Sequence, residues 1–175
     1  MKISVKKLVL AAVCLALCLV LPFLTGQIPQ IGAMLAPMHI PVLLCGFLCG
    51  WPYALVVGLI APLLRHVLFG MPPIMTALVM TFELAAYGAA AGIFYKLLPK
   101  KTAYLYVALI LAMLAGRVVY GVASLIILGV SGSAFTFQAF LTGAFLTAWP
   151  GILCHIILIP LIVIALKKAN LMPND

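Results

Sequence analysis

The chain has 175 residues, 67% of them hydrophobic and only 7% charged, which is more apolar side chain than a water-soluble core of this size needs. The net charge of +8 is not a nucleic-acid face: eight of the ten basic residues form three clusters, Lys2, Lys6 and Lys7, then Lys96, Lys100 and Lys101, then Lys167 and Lys168. Each cluster flanks an apolar run, a positive-inside signature that places both termini and the 96–101 loop in the cytoplasm.

The apolar runs are ~20 residues long and lack the alternation of barrel strands, so each reads as a membrane-crossing α-helix. The expected fold class is an all-α integral membrane protein, a six-transmembrane-helix bundle forming one domain over residues 1–175. The first helix covers about residues 8–24. Its lysine-rich start resembles a signal peptide, but no small-x-small cleavage site precedes Pro22, so the helix is expected to be retained. Ala12 and Ala16, with Ala11 and Cys14 beside them, form a shallow groove that lets another helix approach. The alternative use of those small residues is packing within the chain.

Residues 25–32, with two glycines, a proline and two glutamines, break the pattern and begin a long outer loop that includes Gln27, Gln30 and His39. The second and third helices, about 40–50 and 53–69, form a hairpin with a tight turn at Gly50, Trp51 and Pro52. Gly70, Met71, Pro72 and Pro73 end the third helix. The fourth runs over about 74–95, the fifth over 102–130 and the sixth over 139–166, kinked at Trp149 and Pro150, with residues 131–133 between the last two. Cytoplasmic lysines on both sides require an even number of crossings in each half, and four plus two satisfies this.

The five cysteines are odd in number and lie in apolar runs, which argues against a disulfide framework. Cys14 and Cys18, and Cys45 and Cys49, are four apart, but no His or acid completes a zinc set, so they read as small packing residues. No cofactor or metal is expected.

Glu83 is the only carboxylate side chain before the last residue, and it lies inside an apolar run. An ionisable group in hydrocarbon is costly, and Arg65 and Arg117 are its candidate partners. At ~1.5 Å rise per residue, Glu83 lies roughly 13 Å below the outer start of its helix and Arg117 roughly 22 Å above the inner start of its own, in a core ~30 Å thick. The two meet in the outer half. Glu83 shares a helical face with Met80, Thr76 and Tyr87, and Arg117 shares one with Tyr120, Gly121 and Ser124.

Two arginines against one carboxylate leave one positive charge unmatched, and guanidinium grips a carboxylate in bidentate fashion. A carboxylate-bearing solute is the expected ligand, with Arg65, Glu83, Tyr87, Arg117, Tyr120, His39 and Gln138 as the candidate substrate-binding residues. The plainer alternative is an ion pair that only locks two helices. Thr142 and Thr147 can add hydrogen bonds, Trp149 can stack on a solute or anchor at the interface, and His155 reads as an interhelical histidine.

The six helices, the lysine pattern, the run Pro37-Met38-His39-Ile40-Pro41-Val42-Leu43-Leu44-Cys45-Gly46, then Gly50, Gly58 and Pro62, and finally Glu83-Leu84-Ala85-Ala86-Tyr87-Gly88 resemble the substrate-binding S component of energy-coupling factor (ECF) vitamin transporters. The resemblance covers nearly the whole chain. It implies a protein in a prokaryotic plasma membrane that binds a water-soluble vitamin at its outer face under a lid formed by the first outer loop. A membrane coupling subunit and two ATPase subunits would be its partners, and it would topple in the bilayer to deliver its cargo. The family's helix-one signature is a run of alanines four apart. Ala12 and Ala16 match it as docking residues, while Leu8 and Val20 stand where the flanking small residues would be. Among S components the chain looks most like the pantothenate-type group.

An enzyme is not expected, since nucleophile-elbow and zinc-protease motifs, paired acids and a P-loop are all missing from the sequence. The competing class is a stand-alone secondary transporter. It needs repeats or a polar file through the bilayer, and the inner halves of these helices are almost uniformly apolar.

Overall fold

A computed structural model describes residues 4–26, 28–130, 136–169 and 172. Six helical stretches within them are long and apolar enough to cross a membrane: Val5–Thr25, Gln30–Cys49, Trp51–Phe69, Ile74–Leu97, Thr102–Val130 and Trp149–Lys168. The fold is the expected all-α membrane bundle. Large apolar side chains such as Val13, Val67, Val118 and Ile157 stand exposed on its outside, where hydrocarbon tails rather than water would meet them.

The first helix, α1 (Val5–Val20), tightens into a 3-10 turn over Leu21–Thr25 that carries Pro22 in its first turn and stops at Gly26, φ 61°. The segment expected as open loop instead contains a short helix, α2 (Pro29–Leu35). Pro29 gives up no intrahelical bond at a first-turn position, and Ala36, left-handed at φ 46°, ends the helix and turns the chain downward. The sequence pattern broke over 25–32 because Gly26 ends the 3-10 turn and Pro29 opens this helix, with Gly32 inside it, rather than because the stretch is unstructured. Gln27 lies outside the described residues.

After Ala36 the chain enters α3 (His39–Cys49), then α4 (Trp51–Phe69), with Gly50 alone between them at φ 91°. That left-handed φ is what lets one residue reverse the chain, and Pro52 in the first turn of α4 fits the same way as Pro29. The second span thus begins above residue 40, because α2 supplies its upper part.

The central helix, α5 (Ile74–Leu97), packs against α3, α4 and the next helix, α6 (Thr102–Val130). Without a hydrophobic drive between helices in lipid, close backbone approach is what holds such contacts. A Cβ at Gly58 would lie 2.6 Å from the Leu84 carbonyl, and one at Gly88 would lie 2.7 Å from the Ala54 carbonyl. Larger residues at either place would push α4 off α5. The Tyr87 ring lies against Gly116 of α6 in the same manner.

The last stretch differs from a single helix kinked at Trp149. It consists of α7 (Phe137–Leu141), a π-helical turn over Thr142–Leu146, and α8 (Trp149–Lys168). The break comes earlier than expected, where the Thr147 amide bonds the Thr142 carbonyl at 2.7 Å, and Pro150 begins α8 instead of bending it. The expected linker at residues 131–133 lies outside the described residues.

The described lysines gather at one end of the bundle. Lys167 Nζ donates to the Lys100 carbonyl at 3.2 Å, and Lys6 shares a cleft with Leu166. Two buried cores run down the bundle, one around Leu43, Tyr87, Leu109 and Ile159, the other around Cys18, Val42, Cys45 and Leu84. All five cysteines are free thiols, and Cys14 and Cys49 lie in the second core with Cys18 and Cys45.

Candidate functional site

At the end away from the lysines a cavity of about 430 Å³ opens. Its wall is assembled from the 3-10 turn after α1, from α2 and the head of α3, from the Met71–Pro73 turn, from α5 and α6, and from the π-helical turn before α8. The residue types are mostly apolar, with Met38, Met71 and Met80 among them, and the charged groups are Arg65, Glu83 and Arg117.

Glu83 is 3% exposed and its Oε1 accepts a hydrogen bond from Arg117 Nη1 at 3.0 Å. The geometry thus decides which arginine pairs with the carboxylate. α5 and α6 bring the two to one level, as their helical depths imply, and the pairing meets the cost of burying each charge. His39 Nε2 is 3.3 Å from the same oxygen. It lies off the line of a hydrogen bond, so both ring nitrogens of His39 are left without a hydrogen-bond partner, as is Arg117 Nε. The His39 ring meets Tyr87 edge-on, centroids 5.0 Å apart, and stacks at 6.0 Å on His155 of α8.

Arg65 is held elsewhere. One of its nitrogens donates to the Leu19 carbonyl of α1, and its guanidinium lies 4.8 Å from the Phe23 ring centroid and 5.3 Å from that of Phe69. Cation–π contact and a carbonyl hold the guanidinium in place but do not cancel its charge. Glu83 offsets Arg117, and among the described residues no carboxylate is paired with Arg65. The turn beside it is tied down by His66, whose Nδ1 donates to the Pro72 carbonyl at 2.8 Å. The Met71–Pro72 peptide is cis.

Of the residues singled out in the sequence, His39, Arg65, Glu83, Arg117 and Tyr120 line this cavity, as do Thr76, Met80 and Thr147. Tyr87 lies beneath it, 1% exposed in the core. Gln138 is exposed on α7 and does not line the cavity, nor does Thr142. Trp149 is exposed on the outside of the bundle. Gly121 faces Phe140 instead of the cavity, and Gln30 is exposed on α2. His39 is a buried helical residue, not a loop residue, because α2 turns the chain into the bundle before position 39.

The sequence reading missed the aromatic cage of Arg65 and the walls formed by Pro22, Thr25, Met71 and Pro72. Phe69 stands four residues after Arg65 on one helix, a spacing that was legible. Phe23 comes from a different helix end, and local sequence carries no signal of that meeting. Among the described residues no three His, Cys, Asp or Glu side chains stand together as a metal site would require.

The arrangement is suited to holding a solute. A lone carboxylate already engaged by arginine and an apolar wall offer recognition by charge and shape. No curated protein and no solved structure matches the chain. The family model described as ECF transporter, substrate-specific component, matches residues 6–164. This multi-pass helical bundle, matched over that length, belongs to the family of substrate-specific components of ECF transporters.

Proposed function

We propose that this S component captures a small carboxylate-bearing vitamin or precursor, with pantothenate the first choice, in the cavity around Arg65, Glu83 and Arg117. The observation that carries the reading is the uncancelled charge of Arg65. Glu83 is taken by Arg117 at 3.0 Å, and among the described residues Arg65 meets the Leu19 carbonyl and the Phe23 and Phe69 rings, with no carboxylate paired to it. A guanidinium in a largely apolar wall is at its most favourable when an anion arrives.

The lysine-rich end faces the cytoplasm in this reading, following the positive-inside rule, so the cavity opens outward in a prokaryotic plasma membrane. His39, Tyr120 and Thr147 would orient the solute, and α2 would form part of its cover. The exposed small residues Ala12 and Ala16 would receive the membrane coupling subunit, and two ATPase subunits would supply the energy.

Mass spectrometry of small molecules co-purifying with the detergent-solubilised protein tests this directly. A monocarboxylate is expected from the parent protein, with at least a tenfold lower yield, about 1.4 kcal/mol in affinity, from Arg65→Gln. Recovery of an uncharged or cationic molecule at equal yield from both proteins would refute the proposal.

A further inference from the structure

Among the described residues, four buried side-chain polar atoms lack a partner: His39 Nδ1 and Nε2, Arg117 Nε and, outside the cavity wall, His155 Nε2 on the ring that stacks on His39. His39 and Arg117 both line the cavity, and each is at least nine-tenths buried, 4% and 9% exposed. His39 Nδ1 and Nε2 and Arg117 Nε lack hydrogen-bond partners, and all belong to side chains that converge on Glu83 Oε1, at 3.0 Å from Arg117 Nη1 and 3.3 Å from His39 Nε2. A buried donor without a partner costs ~1–3 kcal/mol, and three such atoms in one corner mark a place where a ligand completes the set.

What that ligand group must be follows from the charges. A second carboxylate in this corner would stand against Glu83, whose own charge is already matched by Arg117, and like charges at such range in a low dielectric repel strongly. A cation would displace Arg117 from its partner. A purely apolar group would leave the three atoms as they are. Arg117 Nε can only donate, Glu83 can only accept, and a neutral imidazole does one at each nitrogen. The fitting group is therefore neutral and able to both accept and donate: a hydroxyl or an amide.

We infer that the cavity reads its solute at two poles, an anion at Arg65 and a neutral hydroxyl or amide at the His39, Glu83 and Arg117 corner. The rest of the wall is mostly apolar, with Met80 and Pro73 among its residues and a few hydroxyls such as that of Thr76, so the middle of the solute is taken to be a short hydrocarbon or branched carbon segment. The assignment of the first pole rests on the function proposed above; the second rests on the unpartnered atoms alone. The substrate class is thus a monocarboxylate with a hydroxyl or amide at its far end, as distinct from simple fatty acids, dicarboxylates and diols.

A matched set of six-carbon probes separates these claims: 6-hydroxyhexanoate, 6-acetamidohexanoate, hexanoate, adipate and 1,6-hexanediol. Each is added at millimolar concentration to the solubilised protein stripped of co-purified solute, and its dissociation constant is taken from the concentration dependence of thermal unfolding. At least one of the two probes carrying both groups is expected to bind about tenfold more tightly than hexanoate, adipate and 1,6-hexanediol. Hexanoate binding as well as the better of the two would overturn the neutral pole and leave the carboxylate reading standing. Adipate binding best would overturn it too, by showing that the corner accepts a second anion. The diol matching the better hydroxy or amide acid would overturn the anionic pole, and stabilisation by none of the five would overturn both.

Discussion

At the scale of single residues, the choice of partner for Glu83 sets the character of the cavity. Arg117 reaches it at 3.0 Å, and Arg65 is drawn instead to the Leu19 carbonyl and to Phe23 and Phe69. Removing one member of a buried pair leaves the other charge stranded, which costs about 3 kcal/mol or more. Glu83→Gln and Arg117→Gln are each expected to lower the thermal unfolding midpoint of the solubilised protein, and the double substitution is expected to lose less than the sum. Fully additive losses would mean that the two side chains do not support one another. That these charges belong together was legible from Glu83 and Arg117 falling at matching depths on their helices. Which arginine wins was not, because sequence spacing says nothing of the carbonyl and rings that detain Arg65. Gln138 was drawn into the expected site by its polarity alone, and the fold leaves it exposed on α7.

Among the helices, the close fit of α4 onto α5 is what brings Arg65 and Glu83 to one cavity. Its cause is local: Gly58 and Gly88 have no side chain, so the backbones of neighbouring helices occupy the space that a Cβ would take. Gly58→Leu is expected to abolish the monodisperse, folded protein in size-exclusion chromatography. Gly129→Ala, at a glycine with open space around it, should behave as the parent. A monodisperse Gly58→Leu protein that still binds solute would show that the contact tolerates separation. Gly58 and Gly88 were visible in the sequence as part of a resemblance, but their partners, the Leu84 and Ala54 carbonyls, were not. The upper part of the second span was misread as loop for the converse reason. A proline that opens a short helix and a glycine inside it look, in one dimension, like those that fill a turn.

For the molecule as a whole, the described lysines lie at one end and the cavity opens at the other, which suits a subunit that captures on one side and is driven from elsewhere. The face of α1 that carries Ala12 and Ala16 is exposed, while Ala11, Cys14 and Cys18 point into the bundle. Ala12→Trp is expected to stop uptake by the assembled transporter in proteoliposomes while solute binding by the isolated subunit stays within about twofold of the parent, since neither Ala12 nor Ala16 lines the cavity. Undiminished uptake would remove α1 as the docking face. The sequence by itself determined that the chain is a six-span helical membrane protein with a charged group buried in its upper half. Length and hydropathy of each run are properties of consecutive residues, and hydrocarbon leaves the backbone little choice but helix. Only the tertiary structure decided that Arg117 pairs with Glu83 while Arg65 turns to a carbonyl and two rings. Pairing depends on side chains brought together from helices far apart in the chain, through glycine contacts and turns whose angles no local pattern encodes.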